Sequence, residues 1–264
     1  MTETWLLDLG SSRLKWQLRS EVGAVLGQGQ HGWDARALYE WLPATRPATI
    51  WLTRVGAGER EQAVLAMIRN RHGDVPVERV QPRMNGPAGL HLHYDLRQFG
   101  ADRYCALLGV LSQSSAPAVV IDAGTAVTVD VLAAGGEHLG GYILPGLRPG
   151  LEAVTRLFTP ELRDQVVTAL PKRPVAPLTG GGPAHDTAGA LVQGWMQGLA
   201  GAVERLCSQS ALRMGGGPVE WWLTGGDAPW LARLLSRPVR LEPGLVFDGL
   251  WLCARHARGR AGVA

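Results

Sequence analysis

Apolar and polar positions alternate along the first third of the chain in short blocks. Thr4–Leu9 is a dense apolar run, and Arg13–Arg19 and Val22–Gln30 follow as short segments parted by turn residues. Extended runs spaced this way predict an antiparallel meander. Asp34 is placed to cap a helix through Leu42, and Pro43 would end it. Thr49–Val55 reads as a buried strand, Glu59–Arg71 has helical spacing, and Val75–Val80 reads as a further short strand.

The second part of the chain opens the same way. Gly100–Leu111 reads as a helix with Asp102 near its start. Ala118–Asp122, Val127–Val131 and a strand near Gly140–Leu144 then repeat the meander. A long helical stretch spans about Ala184–Leu212, with breaks expected at Gly189, Gly194, Gly198 and Gly201. Trp221–Thr224 is a strand entering Gly225-Gly226, and Ala228–Leu235 and Phe247–Ala257 close the chain as helices. Pro171–Pro183 is rich in Pro and Gly and reads as a loop. Three strands followed by alternating helix and strand is the βββαβα order of a ribonuclease-H-like half. The expected organisation is α/β, with one such domain over residues 1–115 and a second over 116–264, and a nucleotide cleft between them.

Composition adds boundaries to this picture. A chain of 264 residues, 46% hydrophobic, has room for two cores. No run approaches the roughly 18 apolar residues of a membrane helix, and no basic-then-apolar leader opens the chain. The expectation is a cytoplasmic protein without a membrane partner. The charge is +3, and its basic residues are arginines apart from Lys15 and Lys172. They are scattered rather than gathered in a stripe, which argues against a nucleic-acid partner. Cys105, Cys207 and Cys253 have no metal-site spacing and read as buried reduced thiols.

Two loops carry the candidate chemistry. Asp8-Leu9-Gly10-Ser11-Ser12 and Asp122-Ala123-Gly124-Thr125-Ala126 each end an apolar run in Asp-x-Gly followed by a hydroxyl residue. A strand feeding a glycine turn brings backbone N–H groups close to a phosphate, and a carboxylate there can hold a cation. Taken singly, each reads better as an ordinary Asp-x-Gly turn. Their duplication at the openings of two halves favours the phosphate reading, and Lys15, in the strand after the first loop, has the reach to join it. Gly100-Ala101-Asp102-Arg103 pairs a general-base candidate with an arginine suited to a substrate carboxylate. An Asp N-cap beside a solvated Arg is the structural alternative. Thr224-Gly225-Gly226-Asp227 is a third strand-to-glycine junction, with Asp227 as a possible cap. There is no Gly-Lys pair and so no P-loop. The Gly27–Gly32 GxGxxG lies inside the expected meander, away from the strand-to-helix turn that a dinucleotide needs. His91 and His93 share one face of an expected strand and have no third ligand in view.

In this order and spacing these motifs, with Tyr94, Gly140-Gly141-Tyr142-Ile143-Leu144-Pro145-Gly146 and Thr187, resemble type III pantothenate kinase, also called the Bvg accessory factor family. The resemblance implies the actin/Hsp70/acetate-kinase fold and transfer of the ATP γ-phosphate to pantothenate, the first step to coenzyme A. It implies that Asp8, Leu9, Gly10, Ser11, Ser12, Arg13, Leu14 and Lys15 hold ATP phosphates, with Asp8 near Mg²⁺ and Thr125 also on the nucleotide. It implies Asp102 as the base, Tyr94, Gly100, Ala101, Arg103 and Thr187 around pantothenate, Asp122 at a K⁺ or ammonium ion, and a homodimer. Two departures stand out. Ser11-Ser12 replace the usual Asn-Thr, and Asp95–Phe99 lacks the proline often found there. A partner-binding protein that kept the fold, or a kinase of the same fold for another small hydroxyl substrate, are the alternatives.

Overall fold

The computed structural model describes residues 3–34, 41–54, 58–170 and 183–261. The meander β1 (Thr4–Leu9), β2 (Leu14–Arg19) and β3 (Val25–His31) precedes β4 (Thr49–Arg54), α1 (Glu59–His72) and β5 (Val77–Arg79). Short β6 (His91–Leu92) and α2 (Ala101–Leu111) follow. The second meander is β7 (Ala118–Ala123), β8 (Ala126–Leu132) and β9 (Glu137–Pro145). Then come α3 (Leu147–Thr155), α4 (Pro160–Ala169), α5 (Thr187–Arg213), β10 (Glu220–Thr224), α6 (Ala228–Leu234), β11 (Arg240–Leu241) and α7 (Leu245–Ala261). Most of the expected helix after Asp34 and nearly all of the Pro171–Pro183 loop lie outside the described residues.

The chain forms two compact units, one of Met1–Ser115 with Gly135–His138 and Gly244–Ala264, the other of Ala116–Ala134 with Leu139–Pro243. In the first, the sheet order is β3-β2-β1-β4-β5. β1 pairs antiparallel with β2 and parallel with β4, so the sheet is mixed. In the second, β9-β8-β7-β10-β11 run in the same topological order, again with an antiparallel first pair and a parallel second. The protein is thus an α/β protein with two mixed sheets, and the second repeats the first.

Burial explains the central strands. All six residues of β1 are buried, as suits a strand covered on both faces. Trp5, Leu7, Leu14, Ile50, Leu52, Val64 and Ile68 pack into one core in the first unit. Val119, Ile121, Val127, Val129, Val192, Met196, Leu199, Val203 and Leu223 pack into another in the second.

The last helix returns to the first unit because its backbone meets that of α2. A Cβ at Gly249 would overlap the carbonyl of Cys105, and one at Gly109 would overlap the carbonyl of Leu245. Arg19 adds a buried tie, donating to Gln17 at 2.6 Å and to Asp248 at 2.5 Å.

Several expectations need correction. α5 is one uninterrupted helix from Thr187 to Arg213. Each glycine inside it weakens helix formation by about 1 kcal/mol relative to Ala. The buried series Val192, Met196, Leu199, Val203 and Cys207 recurs every three to four residues and outweighs that penalty. α3 and α4 were not foreseen. Pro149 and Gly150 mask α3, whereas α4 carries ordinary start signals, with Pro160 at its first turn and Thr159 accepting from the Leu162 N–H. Cys105 and Cys207 are buried, but Cys253 is only half-buried, and all three are free thiols. Among the described residues no helix is long and apolar enough to cross a membrane.

Candidate active site

In the first unit, Asp8 sits near the end of β1, where the register sets Lys15 directly across on β2 and Thr53 across on β4. Thr53 donates its hydroxyl to Asp8 Oδ1 at 3.0 Å, and Lys15 Nζ lies 3.6 Å from Oδ2. The carboxylate is buried but compensated on both oxygens. Leu9 and Leu14 point into the core, so they offer a ligand only their backbones. The turn between them closes with the Gly10 N–H donating to the Arg13 carbonyl at 3.1 Å. Ser11, Ser12 and Arg13 are exposed, and Arg13 donates to Gln30 at 3.1 Å.

α2 begins one residue after Gly100, which is its N-cap in extended conformation. Asp102 is therefore not the cap. It sits in the first turn, half-buried, and its Oδ1 accepts the Arg103 N–H at 2.8 Å. The side chain folds back over residue 100, where a Cβ would overlap Oδ1, so only glycine leaves it this room. Ala101 opens the helix. Burial raises the Asp102 pKa, and the charge of Asp8 raises it further; the Arg103 N–H and the Arg103 charge pull against both. A carboxylate with raised proton affinity is better fitted to take a proton from a hydroxyl.

Arg103 is not solvated either; it is 5% exposed. Its guanidinium lies 4.5 Å from the Phe99 ring centroid and 5.4 Å from that of Tyr94. Phe99 meets Tyr94 edge-on at 5.0 Å and His138 at 5.2 Å. Two rings thus pack against one buried arginine, with His138 behind them, fixing the plane of its fork. The Asp95–Phe99 loop lacks a proline, but Asp95 supplies its order by accepting from the Arg97 N–H at 3.1 Å and from Gln98 Nε2 at 3.1 Å.

In the second unit, Asp122 sits near the end of β7, opposite Thr224 of β10 in parallel register. Three motifs converge here. Gly225 has φ +99°, and a Cβ on it would overlap Ala123 O and Asp122 Oδ1. The Asp227 N–H donates to Ala123 O at 2.8 Å, and the Gly146 N–H donates to Thr125 O at 3.0 Å. Asp227 precedes α6 with no side-chain cap bond. Thr125 is exposed on the turn. Thr187 is the exposed first residue of α5, whose cap Asp186 accepts the Gly189 N–H at 2.8 Å.

The first unit brings together Asp8, Lys15, Thr53, Asp102 and Arg103 with their aromatic support. Asp122, Thr125 and Thr187 belong to the second unit. Thr53, Phe99 and His138 escaped the sequence reading. Thr53 was findable as the hydroxyl ending β4 beside β1, but nothing local marks His138. His91 and His93 are exposed, with His91 against Asn85 at 2.9 Å and His93 3.5 Å from Glu137. Among the described residues no cluster of His, Cys, Asp or Glu is arranged to hold a metal by itself. The Gly27 and Gly29 pair of the GxGxxG lies in β3 against the Trp16 ring.

Duplicated mixed sheets with acidic-glycine turns define a protein of the actin/Hsp70 fold class. An activator of 2-hydroxyisocaproyl-CoA dehydratase from Clostridium difficile, solved with bound ADPNP, has a similar fold at TM-score 0.54 and 13% identity, covering 100% of this chain and 98% of that one. A Baf family transcriptional activator from Campylobacter jejuni is similar at TM-score 0.60 and 19% identity, covering 96% and 99%. Residues 5–209 match the family described as type III pantothenate kinase. Type III pantothenate kinases from Xanthomonas campestris pv. campestris (strain B100) and Alkalilimnicola ehrlichii are 35% and 34% identical to the chain, each covering 96% of it and 98% of the relative. The chain belongs to the type III pantothenate kinase family, a family of phosphotransferases.

Proposed function

We propose that this chain transfers the γ-phosphate of ATP to the terminal hydroxyl of pantothenate, giving 4'-phosphopantothenate. The observation that carries this reading is the Asp102–Arg103 pair: a half-buried carboxylate of raised pKa beside a buried, aromatic-held guanidinium. Phosphoryl transfer needs little covalent chemistry from the protein, only positioning and charge stabilisation. Asp102 accepts the hydroxyl proton as the oxygen attacks phosphorus. Arg103, with Tyr94, Gly100, Ala101 and Thr187, binds the acceptor, the guanidinium taking its carboxylate in a two-point fork. The Asp8–Lys15 loop and Thr125 hold the nucleotide, and Lys15 offsets phosphate charge.

Two cations fit the residues present. Mg²⁺ binds through one or two carboxylates plus phosphates and keeps several waters, and Asp8 supplies such a carboxylate. A monovalent cation, K⁺ or ammonium, suits the oxygen set of Asp122 and its turn carbonyls. When bound, these ions neutralise charge on the phosphates. The same reading gives two ribonuclease-H-like domains, opening at residues 1 and 116, in a cytoplasmic homodimer.

The test is coupled ADP release with pantothenate, Mg-ATP and K⁺. Release that requires both pantothenate and K⁺ is the expected result. Well-folded protein that releases no ADP in response to pantothenate at millimolar ATP would overturn the reading.

A further inference from the structure

Two residues outside every motif grip the first loop from one side. Trp33 Nε1 donates to the Gly10 carbonyl at 3.1 Å. Arg60, in the first turn of α1, donates through Nη1 to the Ser11 carbonyl. The two donors are joined, because the Arg60 guanidinium lies 4.9 Å from the centroid of the Trp33 ring. They therefore pull both carbonyls toward the same side of the loop.

The consequence follows from peptide geometry. Among the described residues no peptide bond is cis, and in a trans peptide the C=O of one residue and the N–H of the next point in opposite directions. With the Gly10 C=O drawn to Trp33, the Ser11 N–H is aimed away from it. With the Ser11 C=O drawn to Arg60, the Ser12 N–H is aimed away as well. Successive N–H groups turned to one side form a nest for an anion. We propose that Trp33 and Arg60 are positioning residues that set the Ser11 and Ser12 peptide N–H groups toward the phosphates of the nucleotide. This rests on the reading of the Asp8–Lys15 loop as the ATP phosphate loop. It also supplies order from outside a loop whose Ser-Ser sequence lacks the amide side chain common in this family.

The test uses the full chain with Arg60→Ala, Trp33→Phe and Arg60→Lys, read by steady-state kinetics. Arg60 is exposed, so its substitutions spare the core, whereas Trp33 is partly buried and packs against the first core, where Phe keeps a ring. Loss of the charged donor in Arg60→Ala is expected to raise KM for ATP about tenfold, with KM for pantothenate unchanged. Trp33→Phe keeps the ring under Arg60 and loses only the N–H, so about a threefold rise is expected. Arg60→Lys restores a donor without the planar fork and falls between wild type and Arg60→Ala. Amide hydrogen exchange of the loop, with and without a non-hydrolysable Mg-ATP analogue, separates the two levels of the argument. Slowed exchange at Ser11 and Ser12 in the wild type, weakened in Arg60→Ala, supports the clamp. Slowed exchange in the wild type with KM for ATP within about twofold in every variant overturns the clamp and leaves the phosphate-loop reading standing. No protection in the wild type overturns both.

Discussion

Replacing Asp102 by Asn exchanges one carboxylate oxygen for an amide nitrogen and leaves the side-chain shape unchanged. Oδ1 is the acceptor for the Arg103 N–H at 2.8 Å, and the Asn carbonyl oxygen keeps that bond. The Gly100–Arg103 geometry therefore survives, and what is lost is the capacity to take a proton. A positioned general base contributes about 10²–10⁴-fold, equivalent to about 2.7–5.4 kcal/mol of barrier. The expected result is a fall in kcat of that size with KM for both substrates little changed. Stability should move the opposite way. Burial and Asp8 raise the Asp102 pKa above its ordinary 3.8, so the folded state binds this proton more tightly than the unfolded chain. Stability from this group then declines as pH rises from 3.8 through the raised value, and the deficit is complete above it. Asn has no such deficit. At neutral pH the variant should melt at a higher temperature than the wild type, and the gap should close as pH falls below 3.8. The wild-type rate should decline on the acid side through the same raised pKa. Coupled ADP release and thermal melts across pH read both effects. A variant with wild-type kcat, or one that melts lower at neutral pH, would refute the reasoning.

Two further substitutions test the surroundings. Arg103→Lys keeps the charge but loses the planar fork stacked on Phe99 and Tyr94, so KM for pantothenate should rise about tenfold while KM for ATP holds; an unchanged KM would remove Arg103 from carboxylate binding. Gly249→Ala forces a methyl onto the Cys105 carbonyl between α7 and α2. Overpacking of this kind costs about 1–3 kcal/mol, and at about 2–4 °C per kcal/mol the melting midpoint should drop by several degrees; an unchanged midpoint would show that the two helices can separate freely.

The sheets were legible because their signal is local. β1 and β7 are apolar runs ending in glycine turns, and the repeated meander announces itself without knowledge of any distant contact. The same locality misleads at α5, where glycines read as breaks. What keeps that helix whole is a buried face spaced every three to four residues, and the burial comes from the rest of its unit. The last helix shows the limit more sharply. Its helical period is plain, but its membership of the first unit depends on Gly249 and Gly109, whose missing side chains let two backbones touch. A glycine in a helix says nothing about which helix it will meet.

The candidate site divides along the same line. Residues that would meet a ligand through the turn itself, Asp8 to Ser12 and Asp122 to Thr125, stand in contiguous motifs and can be read from the chain. Residues that set those groups in place are scattered, because a brace needs only the right atom at the right distance. Thr53 reaches Asp8 across a parallel register 45 residues away, and Trp33 reaches Gly10 across 23. Phe99 adjoins the motif it supports, yet its role depends on an arginine that turns inward, and His138 enters from another segment altogether. Each of these braces acts on charge or direction: Thr53 and Lys15 compensate Asp8, whose charge in turn helps raise the pKa of Asp102. The proton affinity of Asp102 is therefore set first by its burial and then by the charge of Asp8 on β1, with Arg103 pulling against both. For that reason Gly100–Arg103 gives an incomplete account of its own chemistry when read alone.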